Sequence, residues 1–235
     1  MIKRACLVTL MCWLLPTAAS AAPCLPGSLA SYVALGGGGC SVGTALFFDF
    51  VDLPLQGGAA AIPDSDVLVN PVSIGGPGFR FDVNTEAAAG DIFERVIGFS
   101  LSGPGFGGNQ LALTGSNVTF DGANTVLEHG CLGAAFGPGP FCSAIDAELA
   151  VFDLDLLGQL LSDSLSFPAT ALLGIILDIT VDGGTSGTAR LASATIQFTP
   201  QDRPVPEPAT LTLLAFSRAA VMGRQRLRNR KSCRS

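Results

Sequence analysis

The chain has 235 residues, 48% of them hydrophobic and only 14% charged, with 29 glycines and 15 prolines. That balance excludes a disordered acidic tail, a coiled coil and a nucleic-acid binder, each of which needs far more charge. The formal charge of −6 hides an asymmetry, because between residues 22 and 205 the only basic residues are Arg80, Arg95, Arg190 and Arg203, against eighteen acids; such a surface repels nucleic acid and anionic headgroups.

At the N-terminus, Lys3 and Arg4 precede the apolar run Ala5 to Leu15, then Pro16 and a stretch of small residues. Ala19-Ser20-Ala21 satisfies the small-x-small cleavage rule, so residues 1–21 read as a secretory signal peptide removed by signal peptidase. The run is too short to span a bilayer. Lipidation of Cys24 is disfavoured, since Pro23 stands where a small residue is needed.

Residues 22–203 read as one exported domain of short strands divided by glycine and proline. Phe48 and Phe50 lie at period two within Gly43–Leu53; Phe79, Phe81 and Val83 alternate with Arg80 and Asp82; Ile145, Ala147, Leu149 and Val151 alternate with Asp146, Glu148 and Ala150. This is strand periodicity. Further strands are predicted at 66–74, 91–102, 110–120, 125–131, 171–181 and 187–198, with turns at Gly75–Gly78, Gly103–Gly108 and Asp182–Gly184. Nine or ten strands with no linker predict an all-β fold, an antiparallel β-sandwich of jelly-roll type. Asp153 to Asp163 suits a helix or a strand equally, because Leu154, Leu157, Leu160 and Leu161 also fit a 3.6 period.

Of the seven cysteines, Cys6 and Cys12 leave with the signal and Cys233 lies in the C-terminal tail. The remaining Cys24, Cys40, Cys131 and Cys142 allow three pairings. The local one, Cys24–Cys40 with Cys131–Cys142, closes two short loops, each contributing about 3 kcal/mol in the loop-entropy model. A metal site is not expected, for no CxxC or CxH spacing exists and His129 is the sole histidine.

Catalytic motifs are sparse. Gly103, Gly105 and Gly108 satisfy G-x-G-x-x-G, yet Pro104 interrupts and no βαβ unit surrounds them, so neither phosphate binding nor a cofactor is expected. No G-x-S-x-G elbow accompanies His129. Asp153 and Asp155 share one face of a strand, as Asp64 and Asp66 can, and such pairs serve glycoside hydrolysis or protect sheet edges. Asp178, Asp182 and the glycine turn after them offer oxygen ligands for calcium, but without the spacing of a calcium loop. The reading is therefore non-enzymatic.

The C-terminus, residues 204–235, has three parts. The box Val205-Pro206-Glu207-Pro208 is followed by the apolar stretch Ala209 to Gly223, then by Arg224, Arg226, Arg228, Arg230 and Lys231. Apolar residues that pause in the bilayer, with a basic cluster retained inside, make a stop-transfer tail. The 15-residue stretch gives about 22 Å of helix against roughly 30 Å of hydrocarbon, and Arg218 interrupts it. Membrane insertion is marginal unless Arg218 snorkels to the inner face.

That segment resembles the PEP-CTERM sorting signal of exported bacterial proteins, in which such a box precedes a membrane helix and an Arg-rich end. The resemblance implies that an exosortase, a membrane transpeptidase-like enzyme, reads Pro206, Glu207 and Pro208 and cleaves near them. It also implies a protein of the cell surface or matrix, associated with exopolysaccharide or biofilm. Two readings follow: a non-enzymatic surface or matrix protein, and a secreted carbohydrate-binding or carbohydrate-active β-sandwich using the same delivery. They separate on whether carboxylates converge in a cleft bordered by exposed apolar faces.

Overall fold

The computed structural model describes residues 21–55, 58–136, 147–155 and 157–201. The predicted signal peptide up to residue 20, Cys142, the box Val205–Pro208 and the basic cluster all fall outside those residues. No helix among the described residues is long and apolar enough to cross a membrane.

The chain begins with β1 (Gly27–Ser28) and the one-turn helix α1 (Leu29–Val33), then enters the hairpin β2 (Cys40–Val42) and β3 (Ala45–Leu53). Ser28 caps α1 by accepting from the Ser31 N–H at 3.3 Å. Two short strands follow, β4 (Ala60–Ala61) and β5 (Leu68–Val72), and then β6 (Gly78–Ala87) and the long β7 (Ile92–Thr114). The remainder is β8 (Asn117–Thr119), β9 (Ala123–Leu132), β10 (Ala147–Leu154), β11 (Gly158–Leu160), β12 (Ser162–Asp182) and β13 (Thr188–Pro200). The predicted strand at 66–74 is β5, and the alternation of Phe79, Phe81 and Val83 is that of β6, where all three are fully buried.

Neighbouring strands run β1-β5-β6-β13-β7-β12-β9-β10-β11, with β3 also on β7. Pairing is almost entirely antiparallel, and this connected sheet folds over itself as a β-sandwich because β7 and β12 are shared by both layers. The first half of β7 pairs with β3 through Leu46–Ser102 and with the second half of β12 through Ile175–Phe99. Its second half pairs with β13 through Ile196–Leu111 and with the first half of β12 through Leu165–Asn109. Phenylalanines close the interior: the Phe47 ring from β3 lies 4.6 Å from Phe79 of β6 and 6.2 Å from Phe198 of β13. The first is edge-to-face, an arrangement that contributes about 0.5–1.5 kcal/mol beyond burial.

The glycine run Gly103–Gly108, predicted as a turn, is instead the point where β7 passes between layers. Strand pairing continues through it with register shifts opposite Ser166, Thr170 and Leu172. A Cβ on Gly103 would meet the Phe106 ring at 2.8 Å, so the missing side chain lets Phe106 fold inward, where it is buried. Bulged, glycine-bearing strands bend in this way.

Period two also fails at β3. Asp49 takes φ 54°, in the left-handed region, and the pairing with β7 shifts between Phe48 and Val51. The bulge places Phe47 and Phe50, not Phe48 and Phe50, on the buried face.

The ambiguous stretch at 153–163 is a hairpin. Leu154 pairs with Gly158 and Phe152 with Leu160, and β12 begins at Ser162. Leu154 is half-buried and Leu157, Leu160 and Leu161 are exposed, so these leucines form no buried helical face to repay helix nucleation.

The Cys24–Cys40 disulfide forms as expected. It fastens the segment before α1 to β2, beside backbone bonds from the Cys24 N–H to the Ser41 carbonyl (2.9 Å) and from the Ser41 N–H to the Ala22 carbonyl (2.8 Å). Tyr32 of α1 is buried against Phe50 and Phe79 and donates its hydroxyl to the Leu25 carbonyl at 2.7 Å. Burial pushes its phenol up to about 12. Cys131 is also disulfide-bonded, while Cys142 lies outside the described residues.

Candidate functional site

Where the β7–β8 turn, β8 and the β10–β11 hairpin meet, the surface holds two open depressions that share a wall. One, of about 320 Å³, is lined by Asn117, Asp153, Asp155 and Gln159 with Ser116, Val118, Leu154 and Gly158. The other, of about 570 Å³, is lined by Glu86, Thr188, Arg190 and Ala192, again with Ser116 and Asn117. Binding sites commonly span about 300–1,000 Å³.

Short hydrogen bonds fix this wall. The Ser116 hydroxyl donates to Asp153 Oδ2 at 2.7 Å and accepts from Asn124 Nδ2 at 2.8 Å. Asn124 is fully buried and donates the same amide nitrogen to the Arg190 carbonyl at 2.8 Å. Asp155 Oδ2 accepts from the Phe120 N–H at 2.7 Å. The two aspartates predicted to share a face are therefore brought to one cleft, Asp153 from the end of β10 and Asp155 from the turn after it.

Behind β8, the Thr119 and Thr188 hydroxyls meet at 2.9 Å. Asp121 accepts from the hydroxyl and backbone N–H of both Thr185 and Ser186. Those bonds, led by the Thr185 hydroxyl, hold its carboxyl well below the usual carboxylate range.

Two exposed apolar residues lie next to lining residues in the chain or by hydrogen bond, Phe120 through its N–H to Asp155 and Leu157 before Gly158. Phe120 is 67% exposed and Leu157, at the tip of the β10–β11 turn, is 83% exposed. Phe120 takes φ 54°, which is a steric outlier for a bulky side chain. Sequence reasoning missed it, because Phe120 reads there as the last residue of a strand and the other aromatics alternate as core. Ser116, Gln159 and Arg190 were missed as well, and Asn117 stands out in the sequence only as the start of the sequon Asn117-Val118-Thr119.

The other candidates go elsewhere. Asp64 and Asp66 lie in a turn rather than a strand, and Asp64 is drawn to the buried Arg95 guanidinium, which also meets Asp52 at 3.0 Å and donates to the Ile62 carbonyl at 3.0 Å. Burial raises Asp52, opposed by the Arg95 charge and reinforced by Asp64. His129, on β9, has a buried Nδ1 with no hydrogen-bond partner. Burial raises nearby Asp178, opposed by a Thr180 hydroxyl bond and by His129. Asp182 accepts from the Gly184 N–H at 2.8 Å. No group of three or more metal-ligating side chains converges among the described residues.

No family model matches the chain, and no curated protein matches it. Among solved structures, it is similar to TmCBM61 in complex with β-1,4-galactotriose, at 8% identity over 63% of this chain and 88% of that one, with a TM-score of 0.27. That likeness is too slight to carry any residue across.

Proposed function

We propose that this chain is an exported protein of the bacterial cell surface or extracellular matrix whose β-sandwich binds carbohydrate without transforming it. Its signal peptide and PEP-CTERM-type tail deliver it, with signal peptidase and an exosortase-like enzyme as processing partners and exopolysaccharide as the ligand. The observation that supports carbohydrate binding is the cleft in which Asp153 and Asp155 converge with Asn117 and Gln159, next to exposed Phe120, whose N–H meets Asp155. Carboxylates and amides pair with sugar hydroxyls, and apolar faces cover the C–H faces of the ring, as in sites where a few polar groups orient a ligand on an apolar surface.

Binding is favoured over hydrolysis because both carboxylates already accept from the scaffold, Asp153 from Ser116 and Asp155 from the Phe120 backbone. Fixed acceptors suit recognition, whereas a glycosidase needs one of its two acids to deliver a proton. The delivery half rests on the box, apolar stretch and basic end together with the disulfide at Cys24–Cys40, a bond typical of oxidising compartments.

Two measurements test the two halves. Intact mass spectrometry of the protein from its own host is expected to give a species starting near Ala22 and ending near Pro206. A membrane species that retains residues 207–235 would overturn exosortase processing. Affinity electrophoresis through gels containing soluble polysaccharides is expected to show retardation without loss of polymer; no retardation by any of them would overturn carbohydrate binding, and release of reducing ends would overturn the non-enzymatic reading.

A further inference from the structure

The two depressions are halves of one groove, since Ser116 and Asn117 line both. Neither is an enclosed end-on pocket, and an open-sided groove lets a polymer enter and leave at both ends. Asn117, exposed on β8 between the halves, stands opposite Arg190 of β13 in the strand register. Arg190 in turn stands opposite Glu86 of β6, and no ion pair joins them.

The halves differ in charge. The Asp153–Asp155 half has no basic residue in its lining, while the other half holds one guanidinium and one carboxylate. A polymer with an acid on every unit is repelled by the first half and gains nothing net in the second, on a domain that already carries a large acidic surplus. Hydroxyl-rich units meet no such penalty, because free carboxylate oxygens accept from them and the amides of Asn117 and Gln159 both donate and accept.

We propose that this groove binds the interior of a non-acidic polysaccharide chain across two subsites, one unit over Asp155 and Gln159 beside Phe120 and the next over Asn117, Thr188 and Arg190. The proposal rests on the carbohydrate-binding reading above and adds to it the ligand's length and charge. Affinity is set by chain length, and Arg190 contributes only when a second unit reaches it.

The test is calorimetric titration of the folded, disulfide-intact protein with neutral β-1,4-linked hexose oligosaccharides of increasing length, from the monosaccharide upward, and with oligouronates of equal length. Affinity is expected to rise by at least about tenfold once a second unit is present, the worth of one good charge-assisted contact, with oligouronates binding more weakly. Phe120→Ala is expected to weaken every length, and Arg190→Ala, on an exposed strand position, to weaken only the longer ones. Equal affinity for monomer and oligomer, or a preference for the oligouronates, would overturn the two-subsite proposal while leaving carbohydrate binding in place. Failure of every oligosaccharide to bind would overturn both.

Discussion

The side-chain amide of Asn109 on β7 donates to the Glu128 carboxyl of β9 across the interior of the sandwich. Both residues are buried, and the other carboxyl oxygen, Glu128 Oε2, and the amide oxygen, Asn109 Oδ1, have no partner. A carboxyl buried with one oxygen unpartnered favours the protonated form, and burial pushes Glu128 up to about 8, opposed by the Asn109 bond. The native state then binds a proton that the unfolded state releases near its ordinary value of 4.5. Stability is accordingly fully present below about pH 4.5 and is lost as pH rises toward about 8, by at most about 1.4 kcal/mol per pH unit. Urea midpoints at successive pH values are expected to fall across that window, and Glu128→Gln to remove most of the fall. An unchanged slope in the variant would assign the dependence to other groups, such as Asp52 and Asp178.

Replacing Cys24 and Cys40 together by serine is expected to cost about 3 kcal/mol, the loop-entropy value for a bridge of about this span, here a separation of 16 residues. Thermal melts of the variant against the oxidised protein measure it. A change within error would mean that Tyr32 and the backbone bonds at Ser41 hold the N-terminal segment without the bridge.

Arg95→Ala removes a buried cation from Asp52, Asp64 and the Ile62 carbonyl at once. The expected loss is about 2–3 kcal/mol, moderated because both aspartates reach solvent. Chemical denaturation gives the value, and a loss below about 0.5 kcal/mol would show that the pairs behave as ordinary surface contacts.

Phe120→Gly is expected to raise stability by about 1 kcal/mol, by relieving the left-handed backbone of a bulky residue, while weakening oligosaccharide binding. Opposite movements of melting temperature and affinity would mark Phe120 as a residue kept for the groove. A fall in both would mean that its side chain supports the fold.

Much of the β architecture was legible because alternation within one strand is a local property. Phe79, Phe81 and Val83 report their own facing directly, and Cys24 closes on the next cysteine along the chain, Cys40. The groove was legible only in its aspartates. Asp153 and Asp155 are close in sequence, whereas Glu86, Asn117 and Arg190 come from three separated strands and are ordinary polar residues when read singly.

What the sequence by itself determined is the strand-rich character of the domain and its acidic surplus, because alternation and composition are read along the chain. What only the tertiary structure decided is phase and assembly. The bulge at Asp49 puts Phe47 rather than Phe48 inward beside Phe50, the Gly103–Gly108 run is a bend because β12 continues to pair alongside it, and residues 158–160 are a strand because they pair back on residues 152–154 of β10. Side-chain period is set by neighbours along the chain, but register, bulging and the meeting of distant strands are set by hydrogen-bonding partners that no local pattern names.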